Sequence, residues 1–152
     1  MRKILLVTNH LTPYRKIFYS KFHQICESKG IDFKVLLMTK IEPKRNWDYN
    51  SLKIPFAHLM KDIHITFPIN NHLNIEIKKQ LKIYKPDVVI MAGSYMYLTN
   101  WIVCSYKRKY KYKLLYWNEA HFNELRNYNK LILKIREKIR NSFFFQNRWL
   151  LV

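Results

Sequence analysis

The segment Ile4-Leu5-Leu6-Val7-Thr8-Asn9-His10-Leu11-Thr12-Pro13-Tyr14-Arg15 constrains the fold more than any other part of this chain. A short apolar run so close to the N-terminus reads as a strand buried on both faces. It breaks at Asn9. Thr12 then supplies an N-cap and Pro13 a first helical residue, so a helix starts there. A buried strand leading straight into a helix is the opening unit of an open α/β sheet. The loop at that strand's carboxyl end is where such sheets take ligands. Here the loop offers Asn9, His10, Thr12, Tyr14 and Arg15, a polar set suited to a pocket. Arg15 lies near a helix N-terminus, where backbone N–H groups also favour an anion.

The alternation continues along the chain. Tyr14, Ile17, Phe18, Phe22, Ile25 and Cys26 share one helical face, and Gly30 ends that helix. Phe33 to Met38 is a second apolar run, Thr39 to Asn50 a polar loop, and Ile63 to Pro68 a short third strand. Leu73, Ile77, Leu81 and Tyr84 mark an amphipathic helix closed by Pro86. Asp87 to Ala92 is a buried strand stopping at Gly93. Leu98, Trp101, Ile102 and Ser105 follow at helical spacing, Lys113 to Trp117 is the next strand, and Leu131, Ile132, Ile135 and Ile139 make a last helix. Strands separated by helices predict βαβ units. The expected fold class is α/β: one Rossmann-like domain over 1–152, doubly wound, with a mostly parallel sheet, helices on both faces and the first strand central. Trp149 to Val152 is expected to be a strand or a frayed end against that sheet.

At 152 residues the chain can bury a sizeable core, and an aromatic content of 16% argues against disorder. Its 28 Lys and Arg against 10 Asp and Glu give a net charge of +18. That balance implies an anionic partner, whether nucleic acid, an acidic membrane face or a phosphorylated substrate. AT-rich coding offers the alternative account of so many Lys, Ile, Asn and Tyr. Cys26 and Cys104 lack metal-type spacing and read as buried thiols in a reducing cytosol. The apolar stretch after Arg2 and Lys3 is too short for a signal peptide, and no segment approaches the ~20 apolar residues of a spanning helix. A cytoplasmic protein is expected.

Three loops should meet at the rim formed by the strands' carboxyl ends. They are Asn9 to Arg15, then Gly93-Ser94-Tyr95-Met96-Tyr97, then Trp117-Asn118-Glu119-Ala120-His121. Together they bring amides, two imidazoles, a carboxylate, a guanidinium and aromatics, groups that suit sugar hydroxyls and apolar sugar faces. Plainer readings stand beside this one. Glu119 can cap or pair within its loop, His10 and His121 can be solvated loop residues, and Tyr14 can be core. A zinc site from His10, His121 and a carboxylate is disfavoured, because no pair has helical ligand spacing. Gly93-Ser94 lacks the spaced glycines of a dinucleotide fingerprint, and no Gly-x-Ser-x-Gly elbow exists. Lys107-Arg108-Lys109-Tyr110-Lys111-Tyr112-Lys113 interleaves charge with tyrosine, as single-strand binders do. A solvated helix end turning into a strand explains the same pattern better. The last helix adds Lys130, Lys134, Arg136, Lys138 and Arg140. With its apolar stripe on the core, Lys130, Lys134, Lys138 and Arg140 would face an anionic membrane, at about 1 kcal/mol per basic residue.

These motifs, in this order, resemble the N-terminal half of a family-4-type glycosyltransferase of the GT-B fold. The resemblance runs along essentially the whole chain. It rests on Ile4 to Asn9 with Thr12-Pro13-Tyr14-Arg15, Arg45-Asn46-Trp47, Lys85-Pro86-Asp87-Val88-Val89-Ile90 with Gly93, and Leu114-Leu115-Tyr116-Trp117-Asn118-Glu119. It implies an acceptor-binding domain facing a separate donor domain, with metal-independent, retaining transfer between them. It also implies cleft-lining roles for Asn9, His10, Thr12, Tyr14, Arg15, Gly93, Ser94, Tyr95, Trp117, Asn118, Glu119 and His121, with no catalytic base assigned. The family's donor domain, and with it the nucleotide-sugar site and the paired glutamates, has no counterpart here. The expectation is therefore a truncated or split enzyme that binds no cofactor itself. Its partners would be a glycan or lipid-linked acceptor, an anionic membrane and a donor domain in trans. The rivals are a basic nucleic-acid-binding module, the less favoured, and a flavodoxin-like mononucleotide-binding domain.

Overall fold

The computed structural model describes residues 1–41, 48–65, 71–117, 130–147 and 150–151. Strand β1 (Arg2–Thr8) leads into helix α1 (Pro13–Ser28), β2 (Ile31–Leu37), the short α2 (Tyr49–Leu52) and β3 (Ala57–Leu59). A hairpin of β4 (Ile63–Ile65) and β5 (Asn71–Leu73) follows. Then come α3 (Ile77–Tyr84), β6 (Val88–Ala92), α4 (Leu98–Tyr110), β7 (Lys113–Trp117), α5 (Lys130–Asn147) and β8 (Leu150–Leu151).

The main sheet is parallel throughout, in the order β3-β2-β1-β6-β7-β8. With the separate antiparallel hairpin set aside, this is the doubly wound order 3-2-1-4-5-6. β1 is central, in register with β2 from Arg2↔Ile31 to Thr8↔Leu37 and with β6 from Ile4↔Val88 to Val7↔Met91. The expected α/β class and central first strand are what the chain forms. Of the expected tail strand, Leu150 and Leu151 pair with Leu115 and Tyr116. Trp149 and Val152 lie outside the described residues.

Side chains alternate between two cores, as a strand's period of two requires. On one face Leu5, Val7, Leu36, Val89, Met91 and Leu114 meet Ile77, Leu81 and Tyr84 of α3, Val103 of α4 and Phe143 of α5. On the other, Leu6, Phe33, Val35 and Leu37 meet Tyr19 and Cys26 of α1 and Leu52 of α2. Thr12 caps α1, its Oγ1 accepting from Arg15 N at 3.2 Å, and Pro13 is the first helical residue, as expected.

Four sequence expectations need correction. The buried stripe of α1 is Arg15, Tyr19 and Cys26, and Tyr14, Ile17, Phe18 and Ile25 are exposed. The helix is rotated because Arg15 turns inward to bind the loop ahead of it. Tyr14, at 56% exposure, is not core. Leu73 belongs to β5 rather than α3, and Ile63 to Ile65 pairs in the hairpin rather than the main sheet. The third strand of the main sheet is instead Ala57–Leu59. Finally, the apolar stripe of α5 is not wholly on the core. Phe143 is fully buried, but Leu131 and Ile135 of that stripe are exposed, as is Leu133 off it. The helix is anchored near its C-terminal end, where Phe143 and Phe144 pack edge-on against Tyr116.

A candidate crevice at the switch point

Strand order reverses between β1 and β6, the switch point at which doubly wound sheets carry their ligand crevice. Asn9 follows β1 and Gly93 follows β6. A Cβ built on Gly93 would lie 4.0 Å from Asn9 Cγ and 3.0 Å from Tyr97 Cε2. Gly93 has φ +100, a conformation that L side chains rarely adopt, so glycine meets both a backbone and a packing requirement here. Its carbonyl accepts from Tyr116 Oη at 2.6 Å, which ties this loop to the neighbouring strand.

The β1–α1 loop is held from inside. Arg15 is buried, and its Nη1 donates to Thr8 Oγ1 at 3.3 Å, Asn9 Oδ1 at 2.8 Å and the His10 carbonyl at 3.2 Å. Its guanidinium also lies 5.8 Å from the Tyr14 ring centroid. Arg15 therefore shapes the loop and points Asn9. Thr12 and His10 are buried in the same turn, Asn9 is half-buried, and Tyr14 is exposed.

The loop after β6 is braced in the same way. Ser94 Oγ accepts from Met96 N at 3.1 Å, and the Ser94 carbonyl accepts from Asn100 Nδ2 at 2.9 Å. Trp101 Nε1 donates to the Tyr95 carbonyl at 2.9 Å. Tyr95 leans onto the α5 side, its ring 6.4 Å from both Phe143 and Phe144. Trp117, at the end of β7, goes to the opposite face. Its ring meets Phe18 at 5.2 Å and Tyr19 at 6.2 Å, lining an apolar cavity of about 270 Å³ with Phe22, Ile90 and Leu115. The fold thus brings Asn9, Gly93 and Tyr97 together and sends Tyr95 and Trp117 to different sides of the sheet. Asn118, Glu119 and His121 lie outside the described residues, as do Arg45, Asn46 and Trp47.

The sequence reading missed the β4–β5 hairpin as part of this rim. It is bolted to residues following three strands of the main sheet. Asn74 Nδ2 donates to the Met38 carbonyl at 2.8 Å, just past β2, and to the Lys61 carbonyl at 3.0 Å, just past β3. Asn71 spans the loop after β6, donating to the Met96 carbonyl at 2.7 Å and accepting from Leu98 N at 2.8 Å. Thr99 Oγ1 accepts from Asn74 N at 2.9 Å and lies 3.0 Å from the His72 carbonyl. At the hairpin's base Glu76 accepts from Lys61 N at 3.0 Å, bonds His58 Nε2 at 2.6 Å and accepts from Gln80 at 2.8 Å. The Lys61 amide, with His58 and Gln80, holds the Glu76 carboxyl down at about 2.

Inside the hairpin, His72 Nδ1 is 2.7 Å from Asp62 Oδ2, with the imidazole only 1% exposed. Its ring stacks on His64 at 5.0 Å and takes Tyr97 edge-on at 5.1 Å. Asp62 Oδ1 and Asn100 Oδ1 are buried acceptors that no donor reaches among the described residues. The sequence signal was the alternation Asp62-x-His64 and His72-x-Asn74; the first segment reads as a strand, but the second is too short and too polar to show its antiparallel partner.

The basic features resolve separately. Tyr106 and Tyr110 stack on each other at 5.5 Å beneath Lys109, Lys111 closes α4 in the left-handed conformation, and Tyr112 is buried with its hydroxyl on the Val103 carbonyl. That is a helix end turning into a strand. On α5, Lys134, Lys138 and Arg140 are exposed, and Arg140 lies 3.6 Å from Glu137. The side chain of Lys130 lies outside what the structure describes. Cys26 and Cys104 are free thiols on opposite faces of the sheet, Cys104 pushed up to about 12 by burial. Among the described residues no group of His, Cys, Asp or Glu could hold a metal ion, and no helix is long and apolar enough to cross a membrane. No protein-family model, curated protein or solved structure matches this chain.

Proposed function

We propose that the chain is the acceptor-binding domain of a retaining, nucleotide-sugar-dependent glycosyltransferase of the GT-B type, acting on a glycan or lipid-linked acceptor of cell-surface polysaccharide or glycolipid biosynthesis. The observation that carries this reading is the convergence of two groups on Gly93 at the switch point. They are an amide, Asn9, and an aromatic ring, Tyr97, and the glycine lets both come close. An amide and a ring face are what sugar hydroxyls and an apolar sugar face call for. The crevice lacks the spaced glycines a pyrophosphate requires, which counts against a mononucleotide or dinucleotide occupant. The nucleotide-sugar would sit on a separate donor domain, in cis or in trans.

The exposed Leu131, Leu133 and Ile135 beside Lys134 and Lys138 on α5 support a cytoplasmic protein peripheral to the inner membrane face. Nucleic-acid binding is the weaker reading, because Tyr110 of the basic segment stacks on Tyr106 and Tyr112 is buried.

Saturation-transfer NMR with a panel of methyl glycosides tests the reading. Transfer to at least one glycoside, lost in Asn9→Ala, supports it. Absence of transfer to every member, with micromolar affinity for single-stranded DNA that falls steeply with salt, overturns it. In a radiolabelled-donor assay with membrane extract, the chain alone should turn over nothing. Transfer needs both substrates positioned together, and lost proximity alone forfeits roughly 7–11 kcal/mol.

A further inference from the structure

A fully buried imidazole bonded to a carboxylate is a costly way to fill space, since both polar groups leave water and an apolar side chain would pack as well. What the pair provides is orientation. With Nδ1–H given to Asp62, the ring of His72 has one tautomer and one plane. That ring stacks on the exposed ring of His64 and meets the ring of Tyr97 at a steep angle. Tyr97 in turn lies against Gly93, beside Asn9. Asn71 and Thr99 fix the hairpin to the backbone on either side of Tyr97, so hairpin and ring cannot drift apart.

We propose that Asp62 and His72 are the positioning pair of the crevice: the carboxylate sets the imidazole, the imidazole sets the Tyr97 ring over Gly93, and that ring is the face on which a pyranose of the acceptor packs. The inference rests on the acceptor-binding reading and adds to it the residues that select a sugar ring. His72 itself is out of contact with any substrate, because its side chain is only 1% exposed. It acts through Tyr97, as supporting residues act through the groups they orient.

The test uses the full chain carrying ¹³C-labelled tyrosine, with the Tyr97 resonance assigned by its loss in Tyr97→Phe. Methyl glycoside affinity is measured alongside it. His72→Leu keeps the shape and loses the bond to Asp62. Asp62→Asn is the second variant, should His72→Leu fail to fold. His72→Leu and Asp62→Asn should shift the Tyr97 resonance and weaken the best glycoside about tenfold. Tyr97→Phe should bind as the parent does, and Tyr97→Leu should not bind. Unchanged affinity in His72→Leu and Asp62→Asn, or binding by Tyr97→Leu, overturns the proposal. If the parent chain binds no glycoside, the acceptor-binding reading fails and the Tyr97 resonance still decides the pair. A shift in Asp62→Asn, which keeps the imidazole ring, supports it, and no shift there overturns it.

Discussion

The ring of Tyr97 lies so close to Gly93 that a Cβ there would meet its Cε2 at 3.0 Å. Gly93→Ala therefore combines two costs, a backbone conformation that alanine avoids and a displaced ring. The loss of unfolding free energy should reach about 3 kcal/mol, the upper end of what one strained residue costs. Gly30 is the internal control. It too has positive φ, +64, but nothing lies within 4 Å of its Cβ position. Gly30→Ala should cost only about 1–2 kcal/mol and leave Tyr97 in place. Equal costs in denaturant titrations would show that contact with Tyr97 adds nothing.

Arg15 is a second test of how the rim is built. One nitrogen, Nη1, serves acceptors on Thr8, Asn9 and His10. Arg15→Ala should destabilise by about 3 kcal/mol, since hydrogen bonds from a charged group are the stronger ones and their buried acceptors are left unmade. Arg15→Lys should recover little, because an ammonium on a flexible stem does not reproduce the fixed fork. Hydrogen exchange at residues 9–12 should rise in both. A lysine variant protected like the parent would mean that charge alone suffices.

What was legible in the sequence follows from burial. β1, β2, β6 and β7 are covered on both faces, so each is an apolar run that cannot be mistaken. β3 escaped notice because Ala57-His58-Leu59 is short and follows β2 at the sheet's margin, where no run is required. The face of α1 was misjudged because periodicity weighs only apolar residues. The buried stripe begins with Arg15, whose place is set by hydrogen bonds to the preceding loop. In the crevice, Asn9 and Gly93 could be named from their positions after strands. Asp62 and His72 could not, since His72 meets Tyr97, and Asp62 meets His72, only through tertiary pairing of two three-residue strands.

Glu76 predicts how the hairpin responds to acid. Its carboxyl is held at about 2, below its ordinary 4.5, chiefly by the Lys61 amide and further by Gln80 and His58. A depressed carboxylate contributes stability that is fully present above its ordinary value and is lost as pH falls from about 4.5 through about 2. Because Glu76 keeps some exposure, that contribution is on the order of 2 kcal/mol rather than the full shift. Urea midpoints should fall across that window in the parent chain. Glu76→Gln should be less stable at neutral pH and flatter below pH 4.5. Parallel pH profiles would assign the acid sensitivity elsewhere.

The last prediction concerns α5, whose exposed Leu131 and Ile135 adjoin Lys134 and Lys138. If this half of the helix rests on the membrane, two forces act there: apolar burial, indifferent to salt, and attraction to anionic lipid, screened within a Debye length. Lys134→Ala with Lys138→Ala should remove about 2 kcal/mol, a roughly 30-fold loss of affinity for phosphatidylglycerol vesicles. It should leave the weaker binding to phosphatidylcholine vesicles unchanged. Leu131→Ser with Ile135→Ser should weaken binding to both, and at high salt as well as low. Because α5 is anchored by Phe143, near the opposite end of the helix, neither double variant should alter the circular dichroism of the chain. Sedimentation with vesicles reads all four combinations. Equal binding of the parent chain and both variants to phosphatidylglycerol would place the membrane contact on another face.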